Sequence, residues 1–153
     1  MENSSNLLTT FSSNTNLQIQ GRLALSIEPE SNFGDQQTKR FSGEFELNGS
    51  QKQGQLQLFT PLGTTLATLN WSPQLAMMQT SGGVQTFDSL DSMLLQATGA
   101  ALPATGLFAW LQGQPLDLPG WVVDLSRHGS GYITAKRLAP APALELRVVV
   151  SAP

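Results

Sequence analysis

A chain of 153 residues can build one domain with a sizeable core. Only 12% of its residues are charged, the net charge is −3 and no basic cluster is present, which argues against a grip on nucleic acid or on an acidic lipid surface. It has no cysteine and one histidine, so a disulfide framework and a thiol metal site are excluded and a transition-metal centre is not expected.

Met1 is followed by a polar stretch, Glu2 to Asn6, with neither a charged n-region nor an apolar h-region, so the chain as it stands is expected to carry no leader and to be soluble. No apolar run approaches the roughly 20 residues that span a bilayer, and any membrane contact must be apolar rather than Coulombic. Residues 1–16 read as a polar tether or short helix, and residues 17–153 as a single domain.

From Leu17 the period is two. Leu17, Ile19, Leu23, Leu25 and Ile27 share one face, with Gln18, Gln20, Arg22 and Ser26 on the other. Gly21 stands where an apolar residue is expected and marks a bend or bulge in a curved sheet. After a polar loop over 28–39, Phe41, Gly43, Phe45 and Leu47 alternate with Ser42, Glu44 and Glu46 in a second strand. The turn Asn48-Gly49-Ser50 leads back through Leu56 and Leu58, predicting a hairpin. Pro61-Leu62-Gly63 makes the next turn. Strands follow over 66–71 and 74–80, and Ser81-Gly82-Gly83 turns into a short strand ending near Phe87.

The period then changes. Leu90, Met93, Leu94 and Ala97 fall on one helical face, with Asp88 or Ser89 as the cap and Gly99 as the stop. A second helix follows Pro103, with Leu107, Trp110 and Leu111 on one face and Gly113 as its stop. Strands return at 121–125 and 132–138 around the turn Arg127-His128-Gly129-Ser130-Gly131. A last strand points Leu144, Leu146, Val148 and Val150 inward. Helices inserted within a meander must pack on one face of the sheet.

No catalytic constellation emerges, and an enzyme is not expected. His128 lies in a Gly/Ser-rich turn and reads as a solvated loop residue. Asp88 and Asp91 read as helix capping rather than a hydrolytic pair. No serine sits in a G-x-S-x-G turn, and Gly82-Gly83 is followed by neither Lys nor a helix, so no phosphate loop is implied. Apolar residues in unusual places are more informative. Met77 and Met78 are adjacent in a strand and so point to opposite faces, and Met93 adds a third adaptable side chain. Leu62 sits at a turn tip, where it either folds back onto the sheet or stands exposed.

At these residues the chain resembles the LolB family, the outer-membrane lipoprotein receptors of Gram-negative bacteria. The resemblance rests on an ordered series over about residues 17–151: Gly43-Glu44-Phe45, Leu58-Phe59-Thr60-Pro61-Leu62-Gly63-Thr64-Thr65, Gln85-Thr86-Phe87, Thr98-Gly99, Leu102-Pro103, Trp110-Leu111-Gln112-Gly113 and the strand 144–150. Where the family often has Trp near the end of the second strand, this chain has Leu47.

The resemblance implies a mainly β fold with some α: a strongly curved antiparallel sheet, an incomplete barrel of about eight to ten strands. A lid of two or three short helices would cover an apolar cavity. The candidate cavity lining is Leu23, Leu25, Phe45, Leu56, Leu58, Leu69, Met77, Met93, Leu94, Leu107, Trp110, Leu111, Leu146 and Val148. Pro61, Leu62 and Gly63 would form a protruding loop that helps release cargo into the membrane, with Leu62 exposed.

The implied partners are a LolA-like periplasmic carrier loaded with lipoprotein, the lipoprotein's acyl chains and the inner leaflet of the outer membrane, with no nucleic acid, no cofactor and a monomeric state. The implied location is the periplasmic face of the outer membrane when the protein is lipidated, although this chain has no cysteine to lipidate. Two other readings are a carrier of another amphiphile or glycolipid on the same fold, and an interaction domain whose sheet is filled by its own side chains.

Overall fold

The computed structural model of the protein describes residues 16–29 and 37–151, and the tether or helix expected over the first residues falls almost wholly outside them. Nine antiparallel strands form one sheet: β1 (Leu17–Ile27), β2 (Lys39–Gly49), β3 (Gly54–Phe59), β4 (Thr65–Trp71), β5 (Ala76–Thr80), β6 (Gly83–Phe87), β7 (Trp121–Asp124), β8 (Tyr132–Arg137) and β9 (Leu144–Val150). Their order is β6-β5-β4-β3-β2-β1-β9-β8-β7. The first strand is therefore central. Leu25 of β1 sits between Phe41 of β2 and Leu146 of β9, joining the first meander to the last three strands. Among the described residues, strands β6 and β7 end the sheet unpaired on their outer sides, so it is an open half-barrel and not a closed one.

Alternation determines which face is covered. Phe45, Leu47, Leu58, Ala67, Leu69, Trp71, Met78, Leu146 and Val148 are buried, while Gln18, Gln20, Glu44 and Glu46 are exposed. Gly21 does not mark the expected bulge, since β1 pairs with β2 in unbroken register through it; it serves a close approach of the neighbouring strand instead. A Cβ there would lie 2.1 Å from the carbonyl oxygen of Val149, so only glycine allows β1 and β9 to approach so closely.

Between β6 and β7 the chain crosses the covered face as two helices, α1 (Leu90–Thr98) and α2 (Ala104–Leu111). Ser89 caps α1, its Oγ accepting from Ser92 N at 3.0 Å. Gly99 ends the helix in the left-handed region at φ +83°, its N–H donating to Leu95 O at 2.8 Å. Met93 and Leu94 are buried in the core beneath α1.

The capping at α2 is not local. The ring of Pro103 carries no acceptor, and the Oδ1 of Asp91, from α1, accepts from Ala104 N at 3.0 Å. One carboxylate thus ties the two helices together. Asp91→Ala is expected to lower stability by about 1 kcal/mol, or a Tm by about 2–4 °C, because it orphans an N-terminal amide. Thermal denaturation followed by circular dichroism checks this, and an unchanged Tm would show the bond to be dispensable.

His128 is not the freely solvated loop residue its Gly/Ser-rich surroundings suggest. It begins a 3-10 turn (His128–Ser130), is half-buried, and its Nε2 donates to the carbonyl of Leu111 at 3.0 Å. The β7–β8 connection is thereby fastened to the end of α2. Trp110 helps on the other side, donating to Leu116 O at 3.0 Å and lying 5.4 Å from the Trp121 ring centroid.

Candidate functional site

Beneath the helices lies a narrow apolar slot of about 70 Å³. Its floor is Leu23, Phe45, Leu47, Leu56, Leu58, Trp71, Leu146 and Val148 of the sheet. Its roof is Leu90, Leu94, Thr98, Leu102, Leu107, Phe108 and Leu111 of the helices and the segment between them. Thr98 is the one polar lining residue, and its hydroxyl is already engaged, donating to Leu94 O at 2.8 Å and accepting from Ala100 N at 3.2 Å. No wall group is left to orient a polar ligand or to transfer a proton. Such a surface can do one thing well, which is to cover hydrocarbon.

The volume sets a second condition. Pockets for small molecules are typically about 300–1,000 Å³, and about 70 Å³ is roughly the share of two water molecules. The side chains of the closed molecule fill most of the interior themselves. Trp71 and Phe108 meet edge to face with centroids 6.3 Å apart, and Trp71 Nε1 donates to Ser50 O at 2.8 Å. At the surface, Gln51 Nε2 donates to Thr105 Oγ1 at 2.6 Å, linking the β2–β3 turn to α2. An occupant of hydrocarbon length therefore requires the roof to lift.

The predicted lining residues divide into three groups. Leu23, Phe45, Leu56, Leu58, Leu94, Leu107, Leu111, Leu146 and Val148 border the slot. Leu25, Leu69, Met93 and Trp110 are buried in the surrounding core without bordering it. Met77 is a correction, because it lies on the opposite face of the sheet. It pairs with Asn70 and lines an outer groove with Asn70 and Leu75, while its neighbour Met78 pairs with Leu69 and is buried inward. A one-residue choice of parity reverses the face of a strand residue.

Several lining residues escaped sequence reasoning. Leu47 and Trp71 were accessible from alternation with Phe45 and Leu69, and Leu90 from the helical stripe. Phe108 had no such signal, since α2 is apolar almost all round.

The β3–β4 turn is the second feature. Thr60 N donates to Thr64 O at 2.8 Å, Gly63 N to Thr60 O at 2.8 Å, and Thr64 N to Thr60 Oγ1 at 3.1 Å. The turn is thus held by its own backbone and the Thr60 hydroxyl, with Pro61 and Leu62 at its corners and Gly63 closing it. Leu62 does not fold back on the sheet but stands 95% exposed.

Titratable chemistry is absent from the slot. The Ser126 hydroxyl and then the Ser126 N–H hold the Asp124 carboxyl below its usual value, at the end of β7 and not in the slot wall. Among the described residues no cluster of potential metal ligands occurs, and no helix is long and apolar enough to cross a membrane.

Comparison with known proteins agrees with this geometry. The family model "Outer membrane lipoprotein LolB" matches residues 15–136. The Outer-membrane lipoprotein LolB of Bordetella petrii is 30% identical over 156 aligned residues, covering 87% of this chain and 76% of that protein. The namesake of Thiobacillus denitrificans is 25% identical over 86% of this chain and 76% of its own length. That of Dechloromonas aromatica is 28% identical over 69% of this chain and 63% of its own length. With its fold, its lidded slot and these matches in agreement, the chain belongs to the LolB family.

Proposed function

We propose that the protein is a lipoprotein-localisation receptor. It takes the acyl chains of a lipoprotein from a LolA-like periplasmic carrier, shelters them under its helices, and releases them into the inner leaflet of the outer membrane at the Leu62 loop. The relatives' name places those proteins at the outer membrane, and the same location, facing the periplasm, is inferred for this one. It works as a monomer, without cofactor or catalysis.

The observation that carries this reading is the slot wall, apolar throughout and with its one hydroxyl already satisfied. Each methylene removed from water contributes about 0.8 kcal/mol, so about ten methylenes supply roughly 8 kcal/mol. That figure is relative to water; passage from a carrier that already shelters the chain needs only tighter binding here than there, and no nucleotide hydrolysis. The leucine, phenylalanine and tryptophan surface exposed when the roof rises is covered again by the incoming chain.

Leu107→Glu tests the reading directly. Leu107 borders the slot and is only half-buried, so the carboxylate has a route to solvent in the closed molecule. It cannot be covered by hydrocarbon without desolvation costing about 2 kcal/mol or more, which corresponds to a loss of at least about 30-fold in affinity for a fluorescent fatty acid. Unchanged affinity in a folded variant would remove the slot from the account.

One observation favours a second reading, an interaction domain with a self-filled core: the closed slot is far smaller than a typical ligand pocket. The two readings part on what happens when a roof side chain is removed.

A further inference from the structure

The proposed function brings a single leucine to the membrane, and the inference that follows rests on that reading of the Leu62 loop. From Gln53 to Phe87 the sequence contains no Asp, Glu, Lys or Arg. Those residues make up β3 to β6, which are contiguous in the sheet, so the charge-free stretch forms one whole flank of the half-barrel. The remaining strands carry charges such as Arg22, Glu44, Glu46, Lys136 and Arg147.

The turns of this flank converge. Strand β4 begins beside the Leu62 loop, and its Thr68 pairs with Gln79 near the end of β5, so the β5–β6 turn at Ser81-Gly82 lies at the same end of the sheet. Two further apolar side chains stand exposed there. Leu66 is 40% exposed because the register slips by one residue between β3 and β4, leaving it as the extra residue of a bulge. Val84, opposite Gln79 on the edge strand, is 57% exposed. Around the three lie the hydroxyls of Thr64, Thr65, Thr80 and Ser81, all exposed.

We infer that Leu62, Leu66 and Val84 form one contact surface for a lipid bilayer of no net charge, with the tip leucine entering first and the other two following at headgroup depth. The chemistry favours lipid over a protein partner. The flank presents no charge to pair, while its short apolar side chains can enter an interface without desolvating an ion. Its hydroxyls offer hydrogen bonds where headgroups and water meet. No charge of the flank itself takes part; the nearest ones, Arg22, Glu44 and Arg147 of the neighbouring strands, share a groove with Pro61 at the foot of the loop and are of mixed sign.

These 153 residues contain no cysteine, which permits a clean test. Leu62→Cys, Leu66→Cys, Val84→Cys and Val122→Cys are each labelled with an environment-sensitive dye and mixed with vesicles of phosphatidylcholine and phosphatidylethanolamine. Val122 is the matched control, also a valine and also 57% exposed, but on the opposite edge strand β7. Blue-shifted, brightened emission is expected at 62, 66 and 84, and none at 122. Val84→Lys is expected to weaken vesicle partition about tenfold, as the loss of one valine's burial implies, with Val122→Lys unchanged.

A response at 62 alone overturns the wider surface and leaves the loop reading standing. No response at 62 removes both. Equal responses at 84 and 122 show unspecific adsorption and also overturn the proposal.

Discussion

Leu62→Glu is expected to leave the protein folded and able to accept cargo, yet to stop delivery to membranes. The side chain is 95% exposed on a turn closed by its own hydrogen bonds, so nothing in the fold depends on it. A surface change of that kind moves stability by about 0.5 kcal/mol or less, and the Tm by no more than about 2 °C. At the bilayer the effect is large. The variant forfeits up to about 2–3 kcal/mol from leucine burial and must bring a carboxylate to the same place, at a further cost of about 1–3 kcal/mol depending on depth. Together these predict a hundredfold or greater loss, to order of magnitude, in transfer of a labelled lipoprotein into liposomes. Acyl-probe binding should be normal, since Leu62 takes no part in the slot wall. Liposome transfer at the normal rate would contradict the role given to the loop.

The second large effect is expected in the roof. Phe108 is 5% exposed, borders the slot and meets Trp71 edge to face. Phe108→Ala should destabilise the protein by about 3–5 kcal/mol, through lost burial and the cavity left behind. For a carrier the same change should strengthen acyl binding. The closed form excludes a chain because its own side chains occupy the space, and apparent affinity is reduced by the fraction of molecules that are open. Removing Phe108 enlarges the slot and loosens the roof, so less work remains for the ligand. Denaturant unfolding paired with fatty-acid titration reads both quantities. Lower stability with tighter binding supports the carrier. Lower stability with no measurable binding, in wild type and variant alike, is the behaviour of a self-filled core.

The strands were legible because one face of each is covered, and period two is the direct imprint of that on a sequence. Helix α1 was legible for the same reason at period 3.6, and its Ser89 and Gly99 caps stand where their chemistry requires them. What could not be read depends on contacts distant in sequence. Nothing in β1 announces that its second partner is β9. The Asp91 carboxylate looks like a cap for its own helix until α2 is seen to bring Ala104 within 3.0 Å.

The half-barrel interior follows the same division. Wall residues on alternating strands were named from parity, and Met77 shows the weakness of parity where two methionines are adjacent. Within α2 the pattern is silent. With almost every residue apolar, Leu107, Phe108 and Leu111 border the slot while Trp110 packs away from it against Trp121, and only the tertiary arrangement separates them. His128 is a similar case, since its bond to Leu111 depends on where the β7–β8 connection lands.

The central claim is acceptance of acyl chains from a carrier, and the most direct measurement is transfer of a labelled lipoprotein from loaded LolA to this protein, followed by pull-down. The account predicts transfer without added nucleotide, greatly reduced by Leu107→Glu and unaffected by Leu62→Glu. A folded protein that receives no lipoprotein would contradict it.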